Sequence, residues 1–508
     1  MAGDGRAKVT GTARYISDII RPGMLYARLV RCPHAHARIT RLDTTAAAAL
    51  PGVKAVRVIQ GVGTEIQWAL DEIALVAAVT EEQAEDAVRA VAVEYEILPH
   101  HMDDMHLDQA PSTRPGPEEK AGEPDQAMAT AAVRFKGSYG LPATADNCLE
   151  AHGQICERSA ATGSNSDSKV GADRWSNACT EISRQAGGVP VKLMLHRDAE
   201  LTIGGDRSSA YAEIEVGAAA DGTLTAWISR SWGSGGLGEP AGTLPLPCVL
   251  QIPNRKQTHT SVVINAASSF RAWSTPSRLQ GCYLTMSALD DLCARLGMDP
   301  LAFYRKNEAI LGPLAKIYME ELEVADGLMG WSGRWTPRGP SGKGPVQRGL
   351  GLSLDTRGDT GGVQMAEVEV DMEIGVVKVR KMVSVQDCGL VVDQKAVESR
   401  IQGSLVMGIS SALSEEKVFD PVTGSMLNVD FESYEMPGIA DVGELVVHLM
   451  TGPGYDERGV IGLGEPTMSP CAAIANAVAN ALGVRVPYLP LTPQRVLDAL
   501  DARGQVAA

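Results

Sequence analysis

Residues 80–98, TEEQAEDAVRAVAVEYEIL, decide how the first part of the chain is built. Thr80 with Gln83 three residues on is a capping-box pattern, the run to Val91 keeps its apolar residues on one helical face, and VAVEYEIL then alternates as a strand does. Upstream, β-branched residues alternate with polar ones from Met24 to Ile39 and from Val53 to Ile59, punctuated by Pro22-Gly23 and Pro51-Gly52. The pattern predicts a βαβ-like unit that ends near Pro99.

Beyond it, residues 100–126 are rich in Pro, Asp, Glu and His without periodicity, which predicts a linker wrapped over the surface and a boundary near 105. Strands are expected at 133–139 and 209–218, the latter turning at Asp221-Gly222 into TLTAWISRSW, with helices at 172–187 and 278–296. Residues 333–362 are dense in Gly and Pro and read as a junction. After them come a strand pair around Glu369 to Ser384, a helix from about Lys395 to Leu413, and a small-residue helix from about Pro470 to Leu482. Strands and helices without strict alternation predict an α+β fold, and a length of 508 residues predicts two to four domains.

Composition narrows the function. The chain is 44% hydrophobic and 21% charged, and no apolar run is long enough to span a bilayer. A net charge of -16 with no basic cluster argues against nucleic acid as a partner. The polar N-terminus carries no export signal, so a cytoplasmic location is expected. Nine scattered cysteines with no CxxC argue against a zinc or iron-sulfur site on this chain and suggest buried small hydrophobes.

Two segments carry chemistry. In IGLGEP (461–466), Gly462 and Gly464 bring bare backbone close to something, Glu465 follows, and a helix begins at once. Glu465 would lie at the positive end of that helix, where a carboxylate stays ionised as a general base must; a turn followed by an ordinary helix-start charge fits the same residues. In SSFRAWSTPSRLQG (268–281), an irregular loop feeds another helix and could present Arg271 and backbone amides to an anion, or Arg271 could pair with a surface carboxylate. GSGGLG (233–238) matches a dinucleotide-binding pattern literally, but EPAGTLPLP follows where a helix would have to start, so that reading fails. No histidine belongs to a cluster at metal-ligand spacing; solvated or core roles are expected for His34, His36, His100, His101 and His152.

Taken together, the segments resemble the molybdopterin-binding large subunit of the xanthine dehydrogenase/aldehyde oxidase family of molybdenum hydroxylases. DGRAKVTGTARYISDIIRPGMLYARLVRCPHAHARI (4–39) and the 80–100 stretch resemble the opening and close of its hammerhead domain. The pattern runs on through 147–157, 173–188, 191–202, 286–307, 385–403 and 459–466, in the family's order. The resemblance implies a hammerhead α/β domain at 1–105, a shortened first molybdopterin-binding domain at 106–335 and a remnant of the second at 345–508. It implies Glu465 as the base that deprotonates the oxygen delivered to substrate, with Arg271, Trp273, Ser274, Pro276, Gln280, Gly462 and Gly464 as cofactor-binding residues and no metal-ligating side chain. It also implies a molybdenum-molybdopterin cofactor in the cytosine dinucleotide form, separate iron-sulfur and FAD subunits, a homodimer of such heterotrimers, and hydroxylation of an N-heterocycle or aldehyde with water as oxygen source.

Three departures from the family pattern point to an internally truncated chain. Between 156–163 and 173 only SNSDSK (164–169) stands where relatives carry a GGGFGSK loop. After GLGLSLDTRGDTGG (349–362), VQMAEVEVD follows where a long cofactor-gripping segment is expected. RAWSTPSRLQ places Ser274 where the family has a second arginine. The competing expectation is therefore an inactive paralogue with a structural or assembly role.

Overall fold

The computed structural model describes residues 4–145, 147–157, 160–163, 174–235, 244–266, 277–340, 342, 344–357, 359–461 and 470–507. Its principal elements, in chain order, start with strands β1 (Leu25–Arg31), β2 (Ala37–Asp43), β3 (Val53–Val58) and β4 (Glu72–Ala78), helix α1 (Glu81–Ala90) and strand β5 (Ala92–Ile97). The chain crosses to β6 (Val133–Leu141), returns for β7 (Gly153–Cys156), α2 (Arg174–Gln185) and β8 (Val191–Met194), and crosses again. It then forms β9 (Ala210–Ala218), β10 (Leu224–Gly233), β11 (Arg255–Val262), α3 (Arg278–Leu296), α4 (Ala315–Met329), β12 (Val346–Arg357), β13 (Thr360–Asp371), β14 (Val377–Asp387), α5 (Gln394–Leu413), β15 (Glu444–Met450) and α6 (Pro470–Leu482). No described helix is long and apolar enough to cross a membrane.

Local signals translate directly. The Thr80 hydroxyl caps α1 by accepting the Gln83 N–H at 3.3 Å, and Ala84 and Ala87 form its buried stripe. The βαβ-like unit is corrected, however: β3 and β4 lie in a six-stranded sheet, whereas β5 pairs with β2 in a separate three-stranded one. An amphipathic helix next to an alternating strand reports element type, and sheet membership is decided by distant partners.

In the six-stranded sheet β1 is central, antiparallel to β4 and parallel to β8, and the order runs Ala160–Gly163, β7, β8, β1, β4, β3. Residues 153–194 therefore complete the sheet begun by residues 25–78. The expected 100–126 linker is also corrected: Thr113–Pro115 and Glu119–Ala121 pair with β11, and Pro124–Thr130 is helical.

The rest is built on sheet β6–β9–β10–β11 and on sheet β12–β13–β14–β15, where a strand pair was expected. β13 is buried nearly throughout because α6 covers one face and α4 the other. Contact is tight: a Cβ on Gly351 of β12 would lie 2.1 Å from the Ala473 oxygen of α6, and one on Gly361 of β13 would lie 2.8 Å from the Tyr318 ring of α4. The point after 362, where a long segment was expected to be missing, lies inside β13, which pairs with β12 from Val346↔Asp371 to Arg357↔Thr360.

Candidate cofactor site

Helices α3 and α6 lie side by side and run in the same direction. Near their starts, Cys471 is close enough to add to the rise of the Cys282 thiol; further along, Asn476 Nδ2 donates to Met286 O at 3.4 Å; past the end of α6, Arg485 reaches Asp290 at 2.8 Å. Two helix N-termini, each carrying uncommitted backbone N–H groups and partial positive charge, thus share one end of the pair.

The two chemistry-bearing segments enter the helices at that end. Arg271, Trp273, Ser274 and Pro276, and likewise Gly462, Gly464 and Glu465, lie outside the described residues. Gln280 is described: it is 1% exposed in the first turn of α3, and its Nε2 donates to the Ser208 carbonyl at 2.8 Å. Among the described residues, its Oε1 is buried without a hydrogen-bond partner. A buried amide oxygen left unpaired costs about 1–3 kcal/mol, so it marks a place where an N–H or O–H donor belongs. Arg278 anchors the same turn by donating from Nη1 to Thr356 O at 3.0 Å.

Sequence reasoning missed the groups behind Gln280. Asp206 and Arg207 pair with Thr144–Ala145 in a short two-stranded sheet, and both are buried. Lys417, from the segment after α5, donates to Asp206 Oδ1 at 2.7 Å with almost no exposure of either side chain. Burial pushes the Cys471 thiol at the start of α6 up to about 12, against the pull of the first backbone N–H groups and of Arg207. No motif marks Arg207, Ser208 or Lys417; the adjacent charges of DRSS (206–209) were the available signal. Two helix N-termini, buried cations and an unpaired amide oxygen form a set suited to an anionic heterocycle with N–H donors, which is what a phosphate-bearing pterin offers.

The remaining motifs settle into structural roles. His152 is a core residue, 2.5 Å from Glu200 through Nδ1, in keeping with the solvated-or-core expectation. Eight of the nine cysteines are buried and Cys148 is half-buried. Residues 236–238 of GSGGLG lie outside the described residues, and Gly233 closes β10, where a Cβ would lie 2.4 Å from the Ser209 carbonyl oxygen.

The chain matches three family models: the aldehyde oxidase and xanthine dehydrogenase a/b hammerhead domain over residues 10–70, and two molybdopterin cofactor-binding domains over 168–308 and 331–443. Together they span well over half of the 508 residues. The chain belongs to the xanthine dehydrogenase/aldehyde oxidase family. Like other members it is mixed α and β, with a hammerhead domain followed by two molybdopterin-binding domains. Among relatives of this family, it is 26% identical to a nicotinate dehydrogenase chain of Pseudomonas putida over 98% of the chain and 46% of that protein. It is 32% identical to an aldehyde oxidoreductase of Megalodesulfovibrio gigas over 59% of the chain and 31% of that protein. The chain thus spans less than half the length of these relatives. Its fold is that of quinoline 2-oxidoreductase from Pseudomonas putida 86 (TM-score 0.84, 16% identity, 98% of this chain and 97% of that one). The aldehyde oxidoreductase of Desulfovibrio gigas is likewise similar (TM-score 0.75, 20% identity, 97% and 79%).

Proposed function

We propose that this chain is the molybdopterin-binding component of a multi-subunit hydroxylase that oxidises an N-heterocycle or aldehyde with oxygen from water. The observation that carries the reading is the unpaired, buried Gln280 Oε1 at the shared N-terminal end of α3 and α6. The cofactor, when bound, supplies the metal-centred oxidation and the first electron acceptor. The chain supplies position and charge: Gln280 offers an acceptor, the helix N-termini face its anionic parts, and Arg207 and Lys417 bias the surroundings positive. Gly462 and Gly464 would let backbone approach the ligand; Arg271, Trp273, Ser274 and Pro276 would line it from the other segment. Glu465 would be the general base, held ionised at the start of α6; such a base contributes about 10²–10⁴ in rate.

The rest of the proposal is the cytosine dinucleotide form of the cofactor, partner subunits carrying iron-sulfur clusters and FAD, a homodimer of such heterotrimers, a cytoplasmic location, and domains at 1–105, 106–335 and 345–508. The nine scattered cysteines, with no CxxC, support partner-borne clusters.

A second reading, an inactive paralogue with a structural role, is favoured by one observation: only 164–169 stands where relatives carry the GGGFGSK loop. Metal analysis of the chain purified with its neighbouring gene products from a molybdenum-replete host separates the two. Near-stoichiometric molybdenum, with turnover abolished by Glu465→Gln, is the outcome expected. Folded protein without molybdenum would establish the paralogue reading instead.

A further inference from the structure

The 244–252 segment rides along the first turns of α3. Cys248 N donates to Thr285 Oγ1 at 2.8 Å, and Gly281 has no room for a side chain because its Cβ would lie 2.7 Å from the Pro245 carbonyl oxygen. This register sets Cys248 Sγ 3.3 Å from Cys282 Sγ. The two thiols form a small apolar cluster that borders the main core, Val249 packing against both. Val249 carries a φ of 71°, the left-handed region that a β-branched residue enters only when its surroundings hold it there. The strained residue is the one next to Cys248, held by the same packing that brings the two sulfurs together.

We propose that Cys248 and Cys282 are a disulfide-forming pair, a reversible modification site that ties the 244–252 segment to the start of α3. A disulfide needs a sulfur separation of about 2.05 Å, so side-chain rotation has only about 1.3 Å to close. The oxidant fitting such a site is small and uncharged, because Cys248 is 1% and Cys282 0% exposed; hydrogen peroxide is of that class. One thiolate attacks a peroxide oxygen, the O–O bond breaks, and water leaves a sulfenic acid behind. The second thiolate then attacks that sulfur, the S–O bond breaks, and the departing hydroxide takes a proton to become water. Two thiols and one peroxide thus give one disulfide and two waters, the sulfurs losing the two electrons the peroxide gains. The hydrogen bond to Cys248, and then burial, push the Cys282 thiol up, so the reaction is slow at neutral pH and faster in alkali. Closing the pair links Gln280, two residues before Cys282, to the 244–252 segment through a covalent bond and stiffens the first turn of α3.

The test uses the full chain in its native state. After exposure to excess hydrogen peroxide, the protein is denatured, free thiols are alkylated, and unreduced peptides are mapped by mass spectrometry. The expected result is one cross-linked pair carrying Cys248 and Cys282, two hydrogen masses lighter than the separate peptides and released by a thiol-free reductant. The oxidised protein is also expected to melt at a higher temperature, because a cross-link closing this loop restrains the unfolded chain, and to lose that gain on reduction. Trapping of Cys282 as a sulfenic acid in peroxide-treated Cys248→Ser, by dimedone present as the protein is unfolded, would support the same chemistry. Recovery of both cysteines as free alkylated thiols while exposed methionines are already oxidised would overturn the proposal. So would linkage of Cys282 to Cys471, or a cross-link that leaves the melting temperature where it was.

Discussion

Glu321 on α4 shows how much one residue can carry. It is fully buried, its Oε1 accepts the Asp387 N–H at 3.0 Å, and its Oε2 has no hydrogen-bond partner among the described residues. Burial, and then the Asp355 and Asp387 carboxylates, push its pKa well above the carboxylate range, so the folded protein holds it neutral where the unfolded chain would ionise it. The folded-state value is the raised one, so the contribution to stability is complete below the unfolded carboxylate value and is lost as pH rises towards the folded value. Glu321→Gln keeps the shape and stays neutral at every pH. It is expected to match the wild type near about pH 4 and to be the more stable of the two at about pH 8, read from urea unfolding at the two pH values. An equal shift at both pH values would show that the residue acts through packing alone. Gln280 makes the complementary point. It stands in a legible segment at a legible helix start, but its partner Ser208 lies 72 residues away in sequence, and no local pattern carries that pairing.

Among the elements, α6 is almost wholly legible. A run of small residues bounded by Pro470 and Gly483 can only be a helix packed closely on all sides, and its bounds are those the sequence predicts. Its neighbour is less so. GLGLSL (349–354) reads as part of a junction, because glycines are turn signals when nothing is known of what they face. In the structure Gly349 and Gly351 lie inside β12, where a Cβ would come within 2.0 Å of Ala477 O and 2.1 Å of Ala473 O. The helix backbone lies directly on the strand, and the glycines are there for close approach. Gly351→Ala must push α6 away from the sheet and so disturb the end where α3 and α6 meet. The expected loss is about 3 kcal/mol or more, with a fall in soluble yield. A variant that unfolds within about 0.5 kcal/mol of the wild type would mean that the helix shifts at little cost.

At the scale of the whole molecule, distant segments are tied by a buried charge network. Asp291 of α3 accepts the Tyr139 hydroxyl of β6 at 2.8 Å and Arg485 Nε at 3.1 Å, and it also pairs with Arg338. Burial alone would raise its carboxyl, but Arg485, Arg338 and the Tyr139 hydroxyl outweigh that and hold it below the usual range. A depressed carboxylate contributes stability above its unfolded pKa and loses it as pH falls through the folded one. Arg485→Ala is therefore expected to cost about 3 kcal/mol near neutral pH, with a deficit that shrinks on acidification. The crossings of the chain lead to a sharper expectation. Residues 1–105 hold one core of their own around Val30, Ile39 and Val76, but the other face of β1 and β4 is covered by Trp175, Cys179 and Ile182 of α2 and extended by Val191 and Leu193 of β8, all from the second visit of the chain. A fragment of residues 1–105 leaves β1 without its parallel partner β8 and that apolar face in water, so by itself it is expected to give no cooperative thermal transition. Adding residues 147–203 in trans supplies β7, α2 and β8, and the two fragments are expected to co-purify and to melt together. Cooperative melting of the 1–105 fragment alone, unchanged by the second fragment, would show that the shared sheet is not needed and that the hammerhead unit stands independently.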